Sequence, residues 1–242
     1  MMASPVTQVS HIPVEMPNRP GRRIIPRRLT IHETANPSVG ADAEMHRRYV
    51  WSGGGPQLTS YNYVVDDHAT IELLPIGESS NHAGTAEGNL SGISMELCVN
   101  VDGDWQRTQE RAVDLIVWLF QTVPTLTPVA SLVNHSHWRS DTACPARLRA
   151  NGSAGWDALV RSVEAALAVT SDEDAELEAR YQAVAGCVGA KRYAAMLTRD
   201  YYTGRLLVCD RGVVTQTGQD IMGNLMDDWA DLGFGSSTLR RL

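Results

Sequence analysis

A chain of 242 residues, 43% hydrophobic and 20% charged, can hold one large domain or a domain of ~150 residues with a smaller module. Its formal net charge of −7, from 21 basic and 28 acidic residues, excludes the basic footprint of a general nucleic-acid binder. No apolar run approaches the ~20 residues of a membrane span, and residues 1–30 carry no secretory apolar core, so the chain is expected to stay in the cytoplasm where it is made.

Residues 1–29 read as an extended arm, because Pro5, Pro13, Pro17, Pro20 and Pro26 leave no room for a long helix. The segment 27–34 (RRLTIHET) reads as a strand. Ala41–Trp51 reads as a short helix that Asp42 can cap, closed by Gly53-Gly54-Gly55-Pro56. Segments 60–67 (SYNYVVDD) and 69–75 (ATIELLP) are β-rich and form a hairpin signal around Asp66-Asp67-His68. The almost continuous apolar run 92–101 predicts a central strand covered on both faces. Trp105–Val123 has Ala112, Leu115, Ile116, Leu119 and Phe120 at helical spacing. A short strand at 129–135 leads into the loop HSHWRSDTACP, and Gly155–Val169 is a second amphipathic helix. The acidic stretch 170–174 reads as a linker. Beyond it, a helix at 176–184, β-rich runs with turns at Gly204 and Gly212, and a helix at 220–232 make a small α+β module.

The four cysteines, at 98, 144, 187 and 209, form neither a CxxC pair nor a disulfide framework. Cys98 and Cys209 lie in apolar runs and read as small buried hydrophobes; Cys144 lies in a polar loop before Pro145. Of the seven histidines, His32 and His135 each close an apolar strand. Two imidazoles on neighbouring strand ends and one loop thiolate make a three-ligand metal site, which leaves a fourth position open as catalytic zinc requires. His46, beside Arg47, reads as a solvent-exposed helix residue.

Five blocks in order, IHETANPSVGADAEMHRRYV, SYNYVVDD, NHAG, ISMELCVNVDGD and HSHWRSDTACP, resemble the zinc-dependent N-acetylmuramoyl-L-alanine amidases. This is the amidase-2 family, related to the peptidoglycan-recognition proteins and including phage endolysins. The resemblance covers residues 10–168 or so. It implies an α/β fold with a mixed central β-sheet flanked by helices, here followed by the small C-terminal α+β module. It also implies Zn2+ as cofactor, bacterial peptidoglycan as partner, and cleavage of the amide between muramic acid and L-alanine. The implied metal ligands are His32, His135 and Cys144. The family usually spaces its second histidine and cysteine eight residues apart. Here His135 stands nine before Cys144 and His137 seven, so His137 is the alternative. The resemblance further implies Glu96 as general base, Tyr61 and Thr142 as oxyanion stabilisers, and His82 as a substrate contact or loop anchor at the rim of a groove.

The expected domains are a catalytic unit at 1–170, including the arm 1–29, and a module at 171–242 that binds cell wall or oligomerises. The expected function is a phage endolysin that reaches the wall after holin-mediated release. The alternatives are a cytosolic muropeptide-recycling amidase and a non-catalytic peptidoglycan-binding protein.

Overall fold

The structure is a computed structural model that describes the backbone of residues 4–187, 196–199 and 206–209, with side chains for residues 4–169. The chain divides into two units between Leu167 and Ala168.

The first unit, Ser4–Leu167, is built on one six-stranded mixed sheet. Its strands are β1 (Gln8–Val9), β2 (Arg28–Glu33), β3 (Tyr63–Val65), β4 (Thr70–Glu72), β5 (Gly92–Leu97) and β6 (Leu132–Asn134), in the order β1-β4-β3-β5-β2-β6. Only β3 and β4 pair antiparallel, as the hairpin expected around Asp66; every other neighbouring pair is parallel. Three helices alternate with the strands before the C-terminal helical stretch: α1 (Ala43–Trp51), α2 (Ala86–Ser91) and α3 (Trp105–Thr122). Each begins at a polar cap. Asp42 accepts from Met45 N–H, Thr85 from Gly88 N–H and Asp104 from Arg107 N–H.

Alternation along the strands gives the sheet two different faces. Leu29, Ile31, Tyr63, Val65, Ile93, Met95 and Leu97 point one way and pack under Ala112, Leu115, Ile116 and Leu119 of α3, with Leu148, Leu159 and Val163. This is the larger core. A smaller one joins Val64 and Ile71 to Ala43 and Val50 of α1 and to Ile12, Tyr61, Leu73 and Leu74. In the parallel register Thr30 pairs with Ser94 and His32 with Glu96, so these polar residues share the face that the larger core does not use.

β2 and β5 approach so closely at their starts that a Cβ on Gly92, opposite Arg28, would overlap the Arg28 carbonyl. Gly92 is extended at φ −176°, so the constraint is room, not conformation. Gly92→Ala is therefore expected to destabilise the full chain by about 1–3 kcal/mol through forced strand separation, read as a lower urea midpoint with unchanged slope.

The arm before β2 is extended but not loose. Ile12 is fully buried, β1 pairs with β4, and Arg19 forms a two-pronged ion pair with Glu78 while donating to the Ile12 carbonyl. Proline excludes a helix there without preventing the arm from docking.

The segment expected as a polar linker at 170–174 is helical. The stretch α4 (Ala146–Cys187) is interrupted by non-helical backbone at 150–153 and then continues to Cys187. Residues 156–185 contain no glycine or proline, and alanine and glutamate are abundant, so local propensity carries the helix through the acidic run. In the second unit, β7 (Met196–Arg199) and β8 (Leu206–Cys209) pair antiparallel. The helix expected at 220–232 and the turns at Gly204 and Gly212 lie outside the described residues.

Candidate metal centre

The carboxyl ends of parallel strands β2, β5 and β6 lie side by side, the place where open α/β sheets present ligand sites. His32 is next to last on β2, Glu96 next to last on β5, and His135 directly follows β6. One turn of 3-10 helix, His135–His137, bends the chain off the sheet, with Asn134 accepting from Ser136 N–H. Trp138 then donates its indole N–H to Thr30 Oγ1 on β2 at 3.0 Å, which pins this turn over the polar face. The nine-residue spacing to Cys144 is spanned by an exposed turn that Arg139 and Asp141 close with a two-pronged ion pair.

His32, His135 and Cys144 each bring one donor atom to a common point, all within 4.8 Å of one another. It is the only such group among the described residues. His32 Nδ1 lies 3.1 Å from His135 Nδ1 and 3.7 Å from Cys144 Sγ. His137 is exposed and stacks edge-on against Trp138, its ring centroid 4.6 Å away.

The outer nitrogens decide what the inner ones offer. His135 Nε2 meets the Ala83 carbonyl at 3.3 Å; a carbonyl only accepts, so Nε2 carries the proton and Nδ1 presents its lone pair. His32 Nε2 lies 2.8 Å from His82 Nδ1; when it donates there, His32 Nδ1 also faces inward as a lone pair. Burial, with His82 and His135 beside it, holds the His32 imidazole neutral, well below its ordinary pKa, and burial lowers His135 as well. Two imidazole lone pairs 3.1 Å apart repel each other unless a cation or a proton sits between them. Such a nitrogen and sulfur set suits zinc, with three protein ligands leaving one position for substrate or water. Burial, with Glu96 and Glu33 nearby, pushes the Cys144 thiol up to about 12, so its deprotonation at neutral pH depends on a bound cation.

A residue that sequence reasoning passed over holds this arrangement. Glu33, only 6% exposed, accepts from Arg147 N–H at 2.8 Å and Leu148 N–H at 2.9 Å, capping the first turn after Pro145. Its own N–H points at Cys144 Sγ at 3.4 Å. The signal was present as an acid directly after a buried histidine. Glu33→Ala is expected to cost about 1–2 kcal/mol, the worth of a cap, and to weaken metal binding ~10–100-fold through the freed cysteine segment. Thermal melting and chelator competition measure the two losses separately.

Glu96 pairs with His32 across β2 and β5 and its charge is felt at Cys144, and burial followed by repulsion from Glu33 pushes its carboxyl up to about 8. Its Oε2 is buried with no hydrogen-bond partner. A carboxylate held in this way is suited to taking up and returning a proton. It also opens onto a pocket of about 340 Å3 lined by Thr34, Asn36, Met45, His46, Tyr49, Thr59 and Tyr61.

The remaining expected residues are placed as follows. Tyr61 lines that pocket, but it is buried in the smaller core and its O–H donates to the His46 carbonyl at 3.2 Å, so its proton is already committed. Thr142 Oγ1 accepts from Cys144 N–H at 3.2 Å, which leaves its own proton free. His82 does not stand open at a rim: it is 9% exposed, its ring lies edge-on to His32, and Asn89 Oδ1 accepts from its main-chain N–H. Gly88 lets α2 pack closely on the neighbouring Ala83 and on Trp138, since a Cβ there would come within 2.9 Å of Trp138 Cγ and overlap Ala83. His46 corrects the sequence reading outright. It is 8% exposed, on the face of α1 that also buries Ala43 and Val50. Those two apolar neighbours at i−3 and i+4 were the signal that it faces inward.

Residues 20–147 match the sequence family described as N-acetylmuramoyl-L-alanine amidase. Among curated proteins, the chain is 38% identical over 141 residues to N-acetylmuramoyl-L-alanine amidase XlyA of Bacillus subtilis strain 168, covering 57% of this chain and 45% of XlyA. It is 37% identical over 140 residues to N-acetylmuramoyl-L-alanine amidase CwlH of the same strain, covering 57% and 54%. The chain thus spans about half the length of these curated relatives. Among solved structures, a mutant endolysin from Bacillus subtilis superposes with a TM-score of 0.59 and 35% identity, covering 65% of this chain and 99% of that one. The catalytic domain of XlyA gives 0.59 and 34%, with the same coverage.

Proposed function

The chain belongs to the N-acetylmuramoyl-L-alanine amidase family, and on that premise we propose that it is a peptidoglycan hydrolase cleaving the amide between N-acetylmuramic acid and L-alanine. The observation that carries this reading is the convergence of His32 Nδ1, His135 Nδ1 and Cys144 Sγ beside the unpartnered carboxyl of Glu96. A binding protein that only recognises peptidoglycan has no need of an intact ligand set or of a buried acid next to it.

In this proposal the metal is zinc, which when bound supplies Lewis acidity to a carbonyl and lowers the pKa of water. His32, His135 and Cys144 hold it, and His82, Ala83 and Glu33 orient those three. Glu96 accepts the proton of the attacking water and delivers it to the amide nitrogen as the carbon–nitrogen bond breaks. Thr142 anchors the cysteine segment and has its O–H available to the developing oxyanion. Tyr61 contributes a wall and a fixed α1 contact in place of the oxyanion role expected of it.

The likeness to an endolysin supports a lytic role, in which the enzyme accumulates in a host cytoplasm and meets the wall once a holin opens the membrane. Among the described residues no helix is long and apolar enough to cross a membrane. Residues 1–170 carry the chemistry in this reading, a division supported by the separate catalytic domain of XlyA. Residues 171–242 add retention on the wall, or self-association that multiplies catalytic heads.

The reaction class is tested by end-group analysis of digested walls. Amide cleavage releases new alanine amino termini in proportion to enzyme and no new reducing sugar ends. Reducing ends without amino termini would make the protein a glycosidase and overturn the proposal.

A further inference from the structure

Three of the eight buried polar side-chain atoms that lack a hydrogen-bond partner among the described residues belong to Thr34, His46 and Glu96. All three residues line the same pocket of about 340 Å3. Native proteins satisfy nearly all buried polar atoms, so a cluster of unsatisfied ones around a cavity points to groups that a ligand satisfies.

The position of the pocket indicates which part of the substrate enters it. Glu96 on β5 is flanked by His32 on β2 and by Val64 on β3. The metal donors come from β2 and from the chain after β6. The pocket walls come from α1, from residues 59 and 61 just before β3, and from Thr34 and Asn36 just after β2. Glu96 therefore adjoins both the metal side, through His32 on β2, and the pocket, where α1 and the chain before β3 form the walls away from the metal donors. In amide hydrolysis the carbonyl is polarised on the metal side, and the departing nitrogen lies toward the group that gives it a proton. The pocket is on the leaving side.

Resting on the amidase reading above, we propose that His46 is a substrate-binding residue whose Nε2 hydrogen-bonds a main-chain amide of the departing peptide. His46 is more than nine-tenths buried, and its Nε2 has no other partner. Burial also holds its pKa down at about 4, so at neutral pH the ring carries no charge and is matched to a peptide group, not to a carboxylate. Met45, Tyr49 and Tyr61 supply the apolar walls around that contact.

The experiment uses full-length Glu96→Gln protein, loaded with zinc, as a non-turning-over parent. Calorimetry measures its affinity for a soluble disaccharide–peptide fragment of peptidoglycan and for the same disaccharide without peptide. Adding His46→Leu is expected to weaken the peptide-bearing fragment about tenfold, the loss for one buried peptide hydrogen bond, and to leave the bare disaccharide unchanged. Adding His46→Gln, which keeps a polar amide at that place, should restore affinity to within about threefold of the parent. Equal affinity of the leucine variant, an equal loss for both probes, or no binding by the parent would overturn the assignment. Wild-type protein that leaves the fragment intact, while binding keeps its dependence on His46, would sink the amidase reading and not this one.

Discussion

His135→Ala and Cys144→Ser, each in the full chain, are expected to lose stoichiometric zinc and to lower amidase activity by ~10³-fold or more, the scale of a lost Lewis acid. His32→Ala should do the same and should also unsettle His82, whose Nδ1 lies 2.8 Å from His32 Nε2. His137→Ala is the internal control. Its ring is exposed and touches Trp138 edge-on, so zinc content and rate should stay near those of the unaltered protein. Metal analysis and initial rates on solubilised wall decide the matter. An active, zinc-replete His135→Ala variant would mean that the 3-10 turn presents the other histidine. Cys144→Ser is the sharpest of the three ligand tests. The hydroxyl is nearly isosteric, and the segment stays anchored by Thr142 and by Glu33, so what is removed is the thiolate.

Glu96→Gln separates chemistry from assembly. The amide fits the same space between β2 and β3 and cannot shuttle a proton. Turnover should fall by ~10²-fold or more, the usual contribution of a positioned base, while zinc content and the KM for muropeptide stay within a small factor. The prediction is strict because Glu96 has no structural partner to lose: its Oε2 is unpaired, and its near neighbours disfavour its charge. A rate close to wild type would reduce Glu96 to a tolerated buried acid, with the proton leaving by another route.

Much of the fold is legible in the sequence because local chemistry and final placement agree. Asp42 and Asp104 cap helices whose apolar spacing is plain, and the apolar run at 92–101 supplies, over 92–97, the strand between β2 and β3. The order of the sheet is not legible in that way. β2 pairs with β5 and β6 across long parallel crossovers, and no local pattern states which strand ends will meet. The short helix α2 is not legible either, because six residues containing Gly88 give too little periodicity to read. For the site, His32 and His135 stand out as polar residues closing apolar runs, Glu96 as a carboxylate inside one and Cys144 as a cysteine in a polar loop before Pro145, and the family resemblance orders them. The roles of His46, His82 and Glu33 are not legible in that way, since each depends on groups far away in the chain: the pocket shared with Glu96, the outer nitrogen of His32, and the first turn after Pro145.

The central claim joins one reaction to one metal, and mass analysis of purified peptidoglycan tests both at once. Walls are digested with the full chain as purified, after treatment with a chelator, and after zinc is added back. The account predicts free peptides beginning at L-alanine together with intact glycan strands, absent after chelation and restored by zinc. Glycan fragments still carrying their peptides, or the same peptides released undiminished after exhaustive chelation, would contradict it.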